Sequence, residues 1–173
     1  MRRLLALSLL LGLFAAGCKG EPKPEPIEFG KDACYWCKMT ITDQRFGAEL
    51  VTKKGKVYKY DDVACMINHF WEDPNITEKD VAMFLVVDYA HPGKLIDATK
   101  AVYIQSDQIH SPMASDVAAF ENPEDAEAFL KKYGGEILNW SQVIDLVRKQ
   151  NPMNMHHGGH NHQMHQMDEM QMK

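Results

Sequence analysis

The densest concentration of reactive side chains in this sequence is Cys34-Tyr35-Trp36-Cys37-Lys38-Met39. Two cysteines separated by two residues suit a thiol–disulfide couple, half of a zinc site, or a Cu(I) site. Met39 shifts the balance. A thiolate beside a thioether is a soft donor pair that favours Cu(I), whereas zinc is held by Cys, His and carboxylates. Cys37 and Met39 stand at i and i+2, so in an extended chain both side chains point the same way and meet one ion. A thioredoxin-type couple wants its first cysteine at a helix start after a strand. Neither Asp32-Ala33 before the motif nor Thr40-Ile41-Thr42 after it has that character. The plain alternative for Met39 is a core methionine filling a gap.

A second constellation competes for the same cysteines. Cys65 and His69 are i, i+4 and share a helix face. With Cys34 and Cys37 they spell Cys-x2-Cys…Cys-x3-His, an acceptable Cys3His set for structural Zn. Against it stand the long interval from Cys37 to Cys65 and the apolar neighbours Val63, Met66 and Ile67, among which a buried structural thiol is the default. A further soft donor is Met113 in His110-Ser111-Pro112-Met113-Ala114, a polar loop where a methionine is less often core than on a helix stripe. His110 and His91 read as surface residues. Of 11 methionines and 8 histidines in the chain, six and five lie beyond Asn151, around Gly158-Gly159. Residues 151–173 therefore read as a disordered Met/His-rich tail that collects metal loosely, Met66 and Met83 as core.

These groups must be positioned by an α+β body over residues 31–150. Ala48–Thr52 and Lys56–Tyr60 flank Lys53-Lys54-Gly55, a hairpin signal. Asp61 is a good N-cap for a helix to about Trp71, with Val63, Met66, Ile67 and Phe70 on one face. Met83–Val87 and Ala101–Gln105 read as strands. Pro123 after Asn122 starts a second helix that buries Ala126, Phe129 and Leu130 and stops at Gly134-Gly135. A short strand follows over 136–139, and Ser141 caps a last helix to about Lys149. Gly55–Met66 aligns without gaps onto Gly135–Leu146 at an offset of 80 residues. The expectation is two similar strand-strand-helix halves with a binding cleft between them.

The ends of the chain set its location. Met1-Arg2-Arg3 precedes an apolar run from Leu4 to Ala16, too short to span a bilayer and suited to a signal segment over residues 1–17. Lipid on Cys18 would anchor the protein without a membrane span. Residues 18–30 then read as the lipid anchor and a disordered Pro/charged linker that stays extended. Three cysteines remain, and an odd number cannot form a complete disulfide framework. The net charge of −5 lacks the basic footprint of a nucleic-acid binder. No Ser-His-Asp order, paired-carboxylate motif or phosphate loop points to an enzyme.

Ala15-Ala16-Gly17-Cys18 resembles a bacterial lipobox, with Ala15 where an aliphatic is usual. The ordered pieces Cys34-x2-Cys37-x-Met39-x-Ile41-x-Asp43-x-Arg45 and Tyr60-Asp61-Asp62-Val63-x-Cys65-Met66 resemble the NosL family. So do Val87-Asp88, Ile96-Asp97-Ala98, Ala101-Val102-Tyr103, Pro112-Met113, Ala119-Phe120, Ala126-x2-Phe129 and Gly134-Gly135. The resemblance spans about residues 32–145. It implies a periplasm-facing lipoprotein that supplies Cu(I) to nitrous-oxide reductase together with a membrane ABC-type maturation complex. It further implies a fold similar to organomercurial lyase, and Cys37, Met39 and Met113 as metal ligands, with Cys34 a weaker candidate. A mercury-lyase activity would need cysteines in both halves, and the second half has none. The departures are Tyr60 where Phe is common and Ala114 where Gly is usual.

Overall fold

The computed structural model describes residues 21–151; the leader, Cys18 and the Met/His tail lie outside them. Seven strands and three helices are formed in this part of the chain. The first half holds β1 (Ala48–Thr52), β2 (Val57–Tyr60), α1 (Val63–Glu72), β3 (Val81–Val87) and β4 (Leu95–Asp97). The second holds β5 (Val102–Gln105), β6 (Val117–Phe120), α2 (Pro123–Tyr133), β7 (Glu136–Leu138) and α3 (Trp140–Gln150). Two antiparallel sheets result, ordered β2-β1-β3-β4 and β6-β5-β7.

Both halves follow one plan. A hairpin is followed by a helix, and the next strand pairs with the free edge of the hairpin's first strand. The two similar halves expected from the sequence are present, but the units that correspond differ. β2–α1 matches β6–α2 topologically, whereas the 80-residue repeat had paired β2–α1 with β7–α3. In the observed match Val57, Tyr60, Asp61 and the cap Asp62 align with Val117, Phe120, Glu121 and the cap Asn122, each 60 residues on.

The helix starts also move. Asp62, not Asp61, caps α1: its Oδ1 accepts from Ala64 N–H at 2.7 Å. Asn139, not Ser141, caps α3, in a capping box with Gln142. α2 begins at Pro123 with Glu124 and Asp125 in its first turn and Lys131 and Lys132 in its last, complementing the helix dipole. Gly134 ends it at φ +75°. At Gly135 a Cβ would lie 2.6 Å from the Gln105 carbonyl oxygen, so β7 can pair with β5 only with glycine there.

β1 is buried along its whole length between β2 and β3, which explains why it shows no alternation. Glu49 is buried with it. β4 and β6 were not legible: three residues carry no period, and Val-Ala-Ala-Phe is a poor strand signal. Met66 is core, while Met83 is half-buried. The main apolar core runs across both halves, from Leu50, Tyr60 and Met66 to Tyr103, Val117 and Val143. A smaller cluster sits under α2, around Ile104, Ile109, Phe120 and Ala126. The seam between the halves is therefore packed, with a residual cavity of about 10 Å³ beside Val63, Tyr103 and Val117, and is not the cleft expected.

Candidate metal centre

The Cys34–Met39 segment forms a tight loop closed by an isolated bridge between Ala33 and Thr40. Cys34 N–H donates to Met39 O at 2.7 Å, and Lys38 N–H donates to Cys34 O at 3.1 Å. Lys38 takes φ +66°, so Cys37 and Met39 are not the extended pair the spacing argument assumed. Tyr35 N–H donates to Lys59 O at 2.8 Å and fastens the loop onto β2. That places its thiols against the end of β2 and the start of α1.

There the Sγ atoms of Cys34, Cys37 and Cys65 and a carboxylate oxygen of Asp61 all lie within 4.8 Å of one another. Tetrahedral bonds of about 2.3 Å put ligand atoms about 3.8 Å apart, so closure onto an ion needs shifts of about 1 Å at most. The Cys37 thiol donates to Asp61 Oδ2 at 3.4 Å. Asp61 Oδ1 is buried and has no hydrogen-bond partner among the described residues. Such an orphaned oxygen is costly unless something else satisfies it, and a cation or an ionising thiol's proton does so. All three cysteines are free thiols here.

The thiols differ in acidity. The Cys65 thiol, with the Asp61 and Cys37 backbone N–H groups, donates to Cys34 and pulls it down to about 6 against the opposing effect of burial. Burial pushes Cys37 up to about 11. Cys65 is pushed far up, first by its bond to Cys34 and then by burial. Cys34 is therefore the first thiolate of the set.

The methionines stand apart from the core. Met39 is 55% exposed, which removes its gap-filling alternative, and Met113 is 37% exposed. Met113 lies in a turn closed by Ala114 N–H to Ser111 O at 3.0 Å. That turn docks on Asp62, which accepts from Met113 N–H at 3.3 Å and from the Ser115 hydroxyl at 3.1 and 3.2 Å. The residue beside Asp61 thus carries the second-half loop to the first-half thiols. Ala114 sits at φ +54°, a left-handed conformation that suits glycine better than alanine.

The Cys3His zinc set does not assemble. Its three cysteines converge, but Asp61 takes the fourth place and His69 is engaged elsewhere. His69 Nδ1 and the buried Tyr60 hydroxyl are hydrogen-bonded at 2.6 Å, and Nε2 faces Asp73 Oδ2 at 3.4 Å. Tyr35, Tyr58 and Trp36 box the ring at centroid distances of 4.6, 4.9 and 6.0 Å. Burial holds its pKa below the ordinary histidine range. Asp61 and Cys65 are the members that sequence reasoning under-weighted. The available signal was the doubled Asp61-Asp62 before one helix, where a single cap suffices. His110 is exposed, and exposed His91 pairs with buried Asp88 at 2.7 Å.

A family model described as NosL matches residues 26–147. The chain belongs to the NosL family. The matched span contains the whole thiol cluster, Met39 and Met113. A copper-binding lipoprotein NosL from Stutzerimonas stutzeri is 32% identical over 169 residues, covering 92% of this chain and 88% of that protein. The crystal structure of the copper chaperone NosL from Shewanella denitrificans aligns with a TM-score of 0.58 at 23% identity, covering 71% of this chain and 96% of that one. That likeness establishes the fold as a NosL fold. No described helix is long and apolar enough to cross a membrane.

Proposed function

We propose that this NosL-family chain is a Cu(I) carrier, anchored to a membrane through Cys18 and facing the periplasm. It would serve assembly of nitrous-oxide reductase with the membrane ABC-type maturation complex that the family resemblance implies. The observation that carries the reading is the set of three thiols and Asp61 within 4.8 Å, with exposed Met39 on the loop that supplies two of the thiols and exposed Met113 on the loop docked at Asp62. Thiolates suit Cu(I) and Zn(II) alike, and the thioethers of Met39 and Met113 tilt the choice towards Cu(I). The names of the matched relatives, a copper-binding lipoprotein and a copper chaperone, support copper as the cargo.

The proposed ligands are Cys37, Met39 and Met113, with Cys34 on the floor of the site. Thiolate coordination releases a proton, and Asp61 Oδ2 already accepts from the Cys37 thiol, so it is the first acceptor for it. A half-buried Cys37 with exposed methionines on its own loop and on the loop docked at Asp62 leaves an edge for an incoming ligand. That geometry suits transfer and not catalysis.

The test is titration of the full chain with Cu(I) and Zn(II) in parallel, against chelators of known affinity. One tightly bound Cu(I) is expected, weakened at least tenfold in Cys37→Ser, Met39→Ala and Met113→Ala. Unchanged Cu(I) affinity in all three, or tight Zn(II) retained in preference to Cu(I), would overturn the reading.

A further inference from the structure

Five large apolar side chains are exposed among the described residues: Tyr35, Met39, Met113, Tyr133 and Ile137. The first three border the thiol cluster, Tyr35 and Met39 on the Cys34–Met39 loop and Met113 on the loop docked at Asp62. The same loop carries a cationic edge. Lys38 Nζ lies 4.4 Å from the Tyr35 ring centroid and donates to Tyr35 O. Lys56 Nζ lies 4.2 Å from the Tyr58 ring centroid and 5.7 Å from that of Tyr35.

Both ammonium groups are exposed, and among the described residues neither has a carboxylate within ion-pair distance. Asp73 is the acidic group that acts on Lys56; its Oδ1 accepts twice from Asn75, and its Oδ2 faces His69 Nε2 at 3.4 Å. Aromatic faces hold the lysines in place, leaving their charge available to a partner. The surroundings sharpen the contrast. Residues 31–60 carry seven Lys/Arg against three Asp/Glu, whereas residues 61–151 carry seven against sixteen. Lys31, Arg45 and Lys59 are ion-paired, so among the described residues the unpaired cations of this stretch are Lys38 on the thiol loop and Lys53, Lys54 and Lys56 between β1 and β2, on an otherwise acidic protein.

We infer that Tyr35, Lys38 and Lys56, with Met39 and Met113, form the surface on which the copper acceptor docks, and that it selects a protein whose soft ligands are framed by carboxylates. An acidic acceptor is drawn to this edge and repelled by the rest of the chain, which orients it as well as attracts it. The inference rests on the copper-transfer reading. In the transfer copper stays Cu(I). Its bonds to the chain's sulfurs break as bonds to an acceptor thiolate and thioether form, and the proton of the acceptor thiol passes to Cys37.

The experiment uses the full chain loaded with one equivalent of Cu(I). Two synthetic acceptor peptides share one Cys and one Met, flanked by aspartates in one and by lysines in the other. Transfer rates are read by stopped flow at low salt and at about 0.15 M ionic strength, where the screening length is about 8 Å. The aspartate peptide is expected to accept copper about tenfold faster at low salt, with the advantage shrinking as salt rises. Lys38→Gln/Lys56→Gln should abolish the preference and Lys38→Glu/Lys56→Glu reverse it, the two peptides being compared within each variant at equal Cu(I) loading. Equal rates for the two peptides, or a preference indifferent to both double variants, overturn the inference while leaving copper binding intact. A chain that holds no Cu(I) before mixing overturns the transfer reading and this inference together.

Discussion

Asp62 is where the two halves meet at the site, and replacing it separates support from coordination. Its carboxylate accepts from Ala64 N–H as the α1 cap, from the Ser115 hydroxyl and from Met113 N–H. Burial also raises its pKa, so the charged form is held at a cost. Asp62→Asn keeps an acceptor oxygen for Ala64 and Ser115, because Asn caps helices about as well as Asp. Its amide nitrogen then faces Met113 N–H, donor against donor. One hydrogen bond of about 1 kcal/mol is lost, which converts to about fivefold in affinity if Met113 must be held in place to bind copper. The relieved desolvation offsets that loss in the metal-free protein, whose stability should stay within about 1 kcal/mol of wild type. Asp62→Ala removes the cap, strands the Met113 N–H and leaves the Ser115 hydroxyl only the Ser111 hydroxyl as partner, for a destabilisation of about 2–4 kcal/mol. The assay is Cu(I) competition against a chromophoric chelator, with denaturant unfolding of the metal-free protein alongside. The double variant is decisive: Met113→Ala should lose most of its effect on copper affinity in the Asp62→Asn background. Unchanged affinity in Asp62→Asn, with an undiminished effect of Met113→Ala in that background, refutes the role of Asp62 in positioning this loop.

Other perturbations test the scaffold. Burial raises the Glu49 pKa to about 7 from 4.5, so the folded state keeps a proton that the unfolded chain loses. Stability should fall as pH rises from about 4.5 to 7, and Glu49→Gln should flatten that slope and add up to about 3 kcal/mol at pH 8 by urea unfolding; a slope unchanged in the variant counts against it. Ala114→Gly should stabilise by about 1 kcal/mol and raise the melting temperature, since φ +54° strains alanine and not glycine; a lower melting temperature contradicts this. His69→Ala should destabilise by about 1–3 kcal/mol through the stranded Tyr60 hydroxyl yet leave copper stoichiometry unchanged; metal loss from a chain with an intact circular dichroism spectrum would return His69 to the ligand set. Deleting residues 152–173, the Met/His-rich tail, should reduce loading at scarce copper without lowering the affinity of the thiol site, checked by the same competition titration.

Elements with a strong local signal were legible in the sequence. The Lys53-Lys54-Gly55 hairpin, the apolar face of α1, Pro123 at the head of α2 and Gly134 at its end appear at or within two residues of their expected positions. What the sequence hid was correspondence. The 80-residue alignment matched composition in two strand–cap–helix units, but α3 belongs to no hairpin and α2 does. The 60-residue match is weaker in residue type because Tyr58 and Lys59 of β2 give way to Ala118 and Ala119 of β6, which is buried throughout. Sheet order decides which units correspond, and sheet order is a long-range property that local similarity does not carry.

The site shows the same division between local and long-range information. Cys34, Cys37 and Met39 are visible because six consecutive residues contain them. Cys65 looked like a core thiol because its helical neighbours are apolar, and it is indeed fully buried; burial and participation in the cluster are compatible once the Cys34–Met39 loop lies over the first turn of α1. His69 shared a helix face with Cys65, as the i, i+4 spacing required, yet Tyr60 reached its ring first. A phenylalanine at position 60 would leave Nδ1 without that bond. The residue type at one strand end therefore helps decide whether the helix offers the thiols a histidine, and Asp61, the acid left over once Asp62 has capped α1, takes the place beside them.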